Sequence, residues 1–154
     1  MIAIYAGDAM DVAKRIRSNH CSGNVEGSAL RRHIAENLGY QIKSTRRSSG
    51  SYRVRLDLPN PKTGEQIITV YLRTGIWKFI LCDSYKEAQD FQWCVIDMLK
   101  PLLNVRHDTW NRDNMVRYKV LVTKLTSAPG MRYEQLKNTV SGPGVYVLFH
   151  EKAP

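Results

Sequence analysis

The stretch MIAIYAGDAMDVAKRIRSN, residues 1–19, decides the class of the fold. IAIYA at 2–6 is a short apolar run of the kind that forms a buried strand. Gly7 breaks it, and helical spacing runs from Ala9 to about Asn19. Strand, turn and helix in so short a space predict an α/β fold. The same run carries charge too early for a secretory leader, and no segment reaches eighteen consecutive apolar residues. A cytoplasmic protein with no membrane partner is therefore expected.

Toward the C-terminus, Leu30, Ile34 and Leu38 recur at i, i+4 and i+8, with Ser28 placed to cap the helix and Gly39 to end it. KSTRRSSGSYRVR (43–55) is basic and Ser-rich. SYRVRLDL and QIITVYLR flank Pro59, Asn60, Pro61 and Gly64, which predicts an inserted basic β-hairpin over about 43–74. WKFILC after Gly75 predicts a strand, and Tyr85 to Leu99 a helix stopped by Pro101. VRYKVLVTKL (116–125) reads as a strand, MRYEQLKNTV (131–140) as a short helix and GVYVLFH (144–150) as a last strand. The sum is one domain over 1–154: a small central mixed or antiparallel β-sheet flanked by helices, with the inserted hairpin. A chain of 154 residues, 43% of them hydrophobic, can bury one core of that kind.

Composition narrows the partner. Lys and Arg number 23 against 14 Asp and Glu, a formal charge of +9, which suits a polyanion. Charge alone does not separate DNA from RNA or anionic lipid. The three cysteines, Cys21, Cys82 and Cys94, are odd in number and lack CxxC spacing, so neither a disulfide framework nor a zinc site is suggested. The cations placed to meet a phosphate backbone are Arg17, Arg31, Arg32, Lys43, Arg46, Arg47, Arg53 and Arg55.

Three fragments carry more than composition: GVY at 144–146, YAG at 5–7, and the helix YKEAQDFQWCVIDMLKPLLN at 85–104. Together they resemble the GIY-YIG nuclease superfamily, in which a GIY strand pairs with a YIG strand, an Arg-bearing helix follows, and a later helix carries a glutamate ahead of a Pro-x-x-Asn ending. Arg15 stands ten residues after Tyr5, where the resemblance places the family's arginine. The order differs, because GVY lies at the opposite end of the chain from YAG. The sequence looks circularly permuted, with the cut in the hairpin loop, or else lends its last strand to a second protomer.

The resemblance implies hydrolysis of phosphodiester bonds in double-stranded DNA with one Mg²⁺ or Mn²⁺ ion, by a monomer or a homodimer. Tyr146 and Tyr5 would face one another beside the attacking water, with Tyr146 favoured to help activate it. Arg15 would clamp the phosphate, and Asn104 would support the site or simply cap its helix. His20 follows Arg15 by five residues, whereas some family members carry a His or Tyr four residues after the arginine, where Asn19 stands. Asp8 has a sufficient reading as a helix N-cap. The family's metal-binding glutamate falls twelve residues before the Asn, and Gln92 is there instead. An uncharged amide holds a hard cation far more weakly than a carboxylate. Helical geometry turns Glu87 and Asp90 away from its face. Two readings follow: an endonuclease disabled at one position, by design or by natural loss, or a DNA-binding module that keeps the nuclease fold.

Overall fold

The computed structural model describes residues 1–154. Strand β1 (Ile2–Ala9) leads into a short helix α1 (Val12–Lys14) that continues without a break as a π-helical turn (Arg15–His20). Helix α2 (Ala29–Asn37), strands β2 (Ile42–Arg46) and β3 (Tyr52–Leu56), helix α3 (Pro61–Thr74), strand β4 (Ile76–Leu81), helix α4 (Tyr85–Leu99), helix α5 (Met115–Ser127) and strand β5 (Gly144–His150) follow, with short 3₁₀ turns at Arg112–Asn114 and Tyr133–Asn138. No helix is long and apolar enough to cross a membrane.

The main sheet is antiparallel, in the order β1-β5-β4. The last strand in the chain is its middle strand. Its register with β1 runs from Ile2↔His150 to Ala9↔Gly144, with an irregularity between Ala3 and Tyr5. Period-two alternation sends Tyr146 and Leu148 to one face, where they join a core with Ile4, Ile16, Leu30, Ile34, Ile68, Leu72 and Trp77. Val145 and Val147 go to the other face and pack with Ala6, Ala88, Val95, Tyr118 and Val122. The result is α1, α2 and α3 on one side and α4 and α5 on the other. The small antiparallel sheet flanked by helices is as the sequence predicted.

Several local expectations are corrected. The strand does not stop at Gly7; pairing with β5 carries it to Ala9, so Asp8 lies within the strand and the N-cap of α1 is Asp11, which accepts from the Lys14 N–H at 3.0 Å. The inserted hairpin is shorter than 43–74: β2 and β3 form the ribbon, and QIITVYLR belongs to α3. Asn60 caps that helix, Pro61 occupies its first turn, and Gly64, Ile68 and Leu72 fall buried at i, i+4 and i+8. That spacing outweighs the β-branched composition, since burying Ile68 and Leu72 contributes about 1.5–3 kcal/mol each. VRYKVLVTKL is likewise helical, within α5, where Tyr118, Val122 and Leu125 turn inward at i, i+4 and i+7.

Candidate active site

The pairing of β1 with β5 sets Tyr146 opposite Gly7, and Tyr5 opposite Leu148. The two tyrosines therefore meet diagonally and do not sit directly opposite each other. Gly7 is required there. A Cβ at that position would lie 2.5 Å from the Tyr146 hydroxyl and 3.2 Å from a Tyr5 ring carbon, so only glycine lets both phenols close over β1.

His20 completes the cluster. Its Nε2 is 2.6 Å from the Tyr146 hydroxyl and its Nδ1 is 2.7 Å from Ser28 Oγ, and Trp77 lies parallel to its ring. The π-helical turn explains how a histidine five residues after Arg15 reaches this place. The Cys21 N–H donates to the Ile16 carbonyl, five residues back, so the turn takes in one residue more than an α-helix would. Arg15 and His20 stand about one wide turn apart, and the histidine lands where an α-helix would put the fourth residue. π-bulges of this sort recur at functional sites.

Burial shapes the electrostatics. Tyr146 is 2% exposed and its phenol pKa is pushed well up, mainly by desolvation and further by Tyr5, with the Arg15 charge acting against this. Burial also raises Tyr5, while Arg15 and Arg32 pull it down. His20 is held well below its ordinary value by burial and then by the charges of Arg15 and Arg31, so the ring is neutral. Arg15 links this cluster to the surface. It lines an open groove of about 480 Å³ together with Asp8, Lys14, Asn19 and Tyr85. Sequence reading missed Tyr85, whose phenol is raised by burial and then by the neighbouring Asp8 carboxylate. The signal was its place seven residues before Gln92, on the same stripe of α4.

Asn104 clasps the outer edge of β1. Its Oδ1 accepts from the Ala6 N–H at 2.8 Å and its Nδ2 donates to the Ala6 carbonyl at 2.9 Å, while the Leu102 and Leu103 N–H groups donate to Ala3 and Ile4. It fixes the strand between Tyr5 and Gly7, and it is not the cap of α4: Lys100 ends that helix in the left-handed region, at φ 47°.

Gln92 is half-buried on α4, next to the buried Ala88, Val95 and Ile96. Glu87 and Asp90 turn to α5 instead, Glu87 pairing with Arg117 and Asp90 accepting from the Tyr118 hydroxyl. Mg²⁺ at a phosphate site is held through one or two carboxylates completed by water and substrate. Position 92 offers none, and no three His, Cys, Asp or Glu side chains converge anywhere in the chain. The groove that Arg15 lines carries the carboxylates of Asp8 and Asp11, so what the family pattern lacks here is the carboxylate at position 92.

The cations divide into two sets. Arg31 is corrected: its side chain is wholly buried, bonded to Glu65, Thr69 and the His20 carbonyl, and it faces no DNA. Arg47 and Arg55 share Glu26, which also accepts from the Val54 N–H and so pins the β2–β3 ribbon beside the loop that carries Ser28. Lys43, Arg46 and Arg53 are exposed on that ribbon, and Arg17 and Arg32 are partly exposed.

The family model described as the GIY-YIG catalytic domain matches residues 1–124. That span takes in Tyr5, Arg15, His20, Gln92 and Asn104 and ends before β5. Neither curated proteins nor solved structures gave a match.

Proposed function

The chain belongs to the GIY-YIG family and is therefore of the nuclease type, and from that premise we propose that its substrate is double-stranded DNA, which it is built to cut at phosphodiester bonds once a carboxylate stands at position 92. The observation that carries this is the junction of Tyr146, His20 and Arg15 around Gly7, made by pairing the first strand with the last. In-line hydrolysis needs a proton acceptor for the attacking water and positive charge where the phosphate gathers negative charge. Tyr146 is the candidate acceptor and Arg15 the clamp.

Burial keeps the Tyr146 phenol neutral in the chain as it stands, so its role as a base requires a further cation beside it. Gln92 withdraws the ligand that would hold one, Mg²⁺ or Mn²⁺. We therefore read this chain as binding DNA and positioning its phosphate without cutting, and the exposed Lys43, Arg46 and Arg53 as ribbon contacts that select the target, consistent with a site-specific enzyme. Two-stranded ribbons of this width enter the major groove. The chain order is read as a permuted form of the family hairpin, which the β1–β5 register supports. A second reading, a module devoted to DNA binding alone, takes Gln92 as the natural residue and rests on the missing carboxylate at that position.

Supercoiled plasmid incubated with Mg²⁺ or Mn²⁺ separates them. Gln92→Glu should nick it where the unaltered chain does not, and Tyr146→Phe or Arg15→Ala added to Gln92→Glu should abolish nicking. A Gln92→Glu protein that folds and binds DNA yet nicks nothing in either metal overturns the nuclease reading and leaves the binding module.

A further inference from the structure

From Lys43 to Arg55, every hydrogen bond and ion pair that leaves the β2–β3 ribbon ends on one residue, Glu26. Its Oε1 accepts from the Val54 N–H and from Arg47 Nη2, each at 3.0 Å. Its Oε2 accepts from the same Arg47 nitrogen at 3.0 Å and lies 3.5 Å from Arg55 Nη1. The next two residues face the candidate site. The Gly27 carbonyl accepts from Arg15 Nη1 at 3.3 Å, and Ser28 Oγ lies 2.7 Å from His20 Nδ1. Three consecutive residues therefore hold, in order, the ribbon, the clamp and the histidine beside Tyr146. On either side the chain is anchored. Val25 is wholly buried and its N–H donates to Glu65 Oε1 at 2.9 Å, while Ser28 is buried as the cap of α2. Gly27 between them is exposed and has no side chain to fix it, so the direction of its carbonyl follows its neighbours. Arg15 pairs with no carboxylate, which leaves its other donors for a phosphate and makes that carbonyl the group that aims it.

We infer that Glu26 is a positioning residue that ties the ribbon to the loop, sets the Gly27 carbonyl and through it Arg15, and so makes the grip on the DNA and the hold on the phosphate depend on each other. The inference deepens the reading of the chain as one that positions a DNA phosphate and rests on it. Glu26 touches neither DNA nor the reacting atoms in this scheme. Ser28 is held both by its cap and by His20, so a loosened ribbon moves the glycine between more than the serine. A dependence of this kind runs in both directions: a ribbon seated on DNA steadies Arg15, and a phosphate held by Arg15 steadies the ribbon.

Affinity for a DNA duplex, measured at low salt without metal, tests this through the loss that Arg15→Ala causes. With Glu26 in place that loss should be about tenfold, the worth of one charge-assisted contact. In the Glu26→Ala background it should shrink to about twofold or less, because the clamp is already unaimed. Glu26→Gln removes the same charge but keeps an oxygen at the Oε1 position for the Val54 N–H and Arg47, and should restore most of the loss. A role confined to bracing the ribbon would weaken binding in Glu26→Ala yet leave the effect of Arg15→Ala at full size. In the free ¹⁵N-labelled chain, the Arg15 Nε–H signal should shift or broaden in Glu26→Ala and keep its place in Glu26→Gln. Equal losses from Arg15→Ala in the Glu26 and Glu26→Ala backgrounds, or an Arg15 signal unmoved by Glu26→Ala, overturn the inference. If the unaltered chain binds no duplex at low salt, the functional reading fails, and the Arg15 signal still decides whether Glu26 positions that side chain.

Discussion

Replacing Asn104 tests whether the residue works on the strand or on the substrate. Asn104→Ala removes both hydrogen bonds to Ala6, at 2.8 and 2.9 Å. Each is worth about 0.5–1.5 kcal/mol net, and a buried group left unpaired costs about 1–3 kcal/mol. Ala6 is 1% exposed, so water replaces the lost partners poorly, and a total of about 2–4 kcal/mol follows. Asn104→Asp should cost at least as much. It keeps the acceptor for the Ala6 N–H but turns a charged oxygen toward the Ala6 carbonyl, where the amide had donated. With a urea slope of about 2 kcal/mol per molar, the unfolding midpoint of Asn104→Ala should fall by roughly 1–2 M. The melting temperature should drop by roughly 4–16 °C for a chain of this size. Nicking by the Gln92→Glu protein should fall with either change, because Tyr5 and Gly7 flank the released residue. If both variants unfold at the parental urea concentration while nicking is lost, Asn104 acts on the substrate and the strand-clasp account is wrong.

Gly7→Ala should push the Tyr146 phenol off His20, costing about 1–3 kcal/mol as overpacking and abolishing nicking by the Gln92→Glu protein; parental stability and activity together would refute the close approach. His20 has a folded pKa below its unfolded value near 6.5, so the unfolded state takes up the proton first. Stability is complete above that pH and is lost as pH falls from about 6.5 toward the folded value, with a slope of up to about 1.4 kcal/mol per pH unit. Urea unfolding across pH 5–8 should show this slope, and His20→Gln should flatten it; an equal slope in both proteins would assign it elsewhere. Arg46→Ala with Arg53→Ala should weaken DNA binding and reduce the slope of log affinity against log salt by about 2, as expected for two lost phosphate contacts. An unchanged slope would remove the ribbon from the interface.

The sequence named a candidate site more readily than it gave the secondary structure around it. Tyr5, Arg15, Asn104 and Gln92 could be named as candidates because each sits at a fixed spacing from a glycine, a proline or another motif residue. His20 was recognised but stood one residue off register, and only the wide turn between Ile16 and Cys21 removes the discrepancy. QIITVYLR and VRYKVLVTKL were misread because Ile, Val and Thr favour strands locally, while the inward stripes that make them helices are visible only once a core lies beneath them. Arg31 was misassigned for a related reason. A charge on a helix face is ordinarily solvated, and nothing near it in sequence discloses Glu65, thirty-four residues away. Ser28 was read as far as its cap, and its second partner depends on a contact that spacing does not encode.

Placing β5 in the middle of the sheet has a consequence for how the molecule is made. A ribosome delivers β1 first and β4 about halfway through, but neither has a strand to pair with in the main sheet until residues 144–150 have left the exit tunnel. Helices α3 and α4 can form on the nascent chain, while β1 waits with its inner edge bare for the time it takes to add more than a hundred residues. Contacts separated so widely along the chain close slowly, and open strand edges invite pairing with neighbours. The main sheet is therefore bound to complete itself in one late step, once β5 has emerged, and that step seats Tyr146 against His20. Assembly of the sheet and assembly of the candidate site are the same event, so a half-folded intermediate of this protein lacks the contact of Tyr146 with His20.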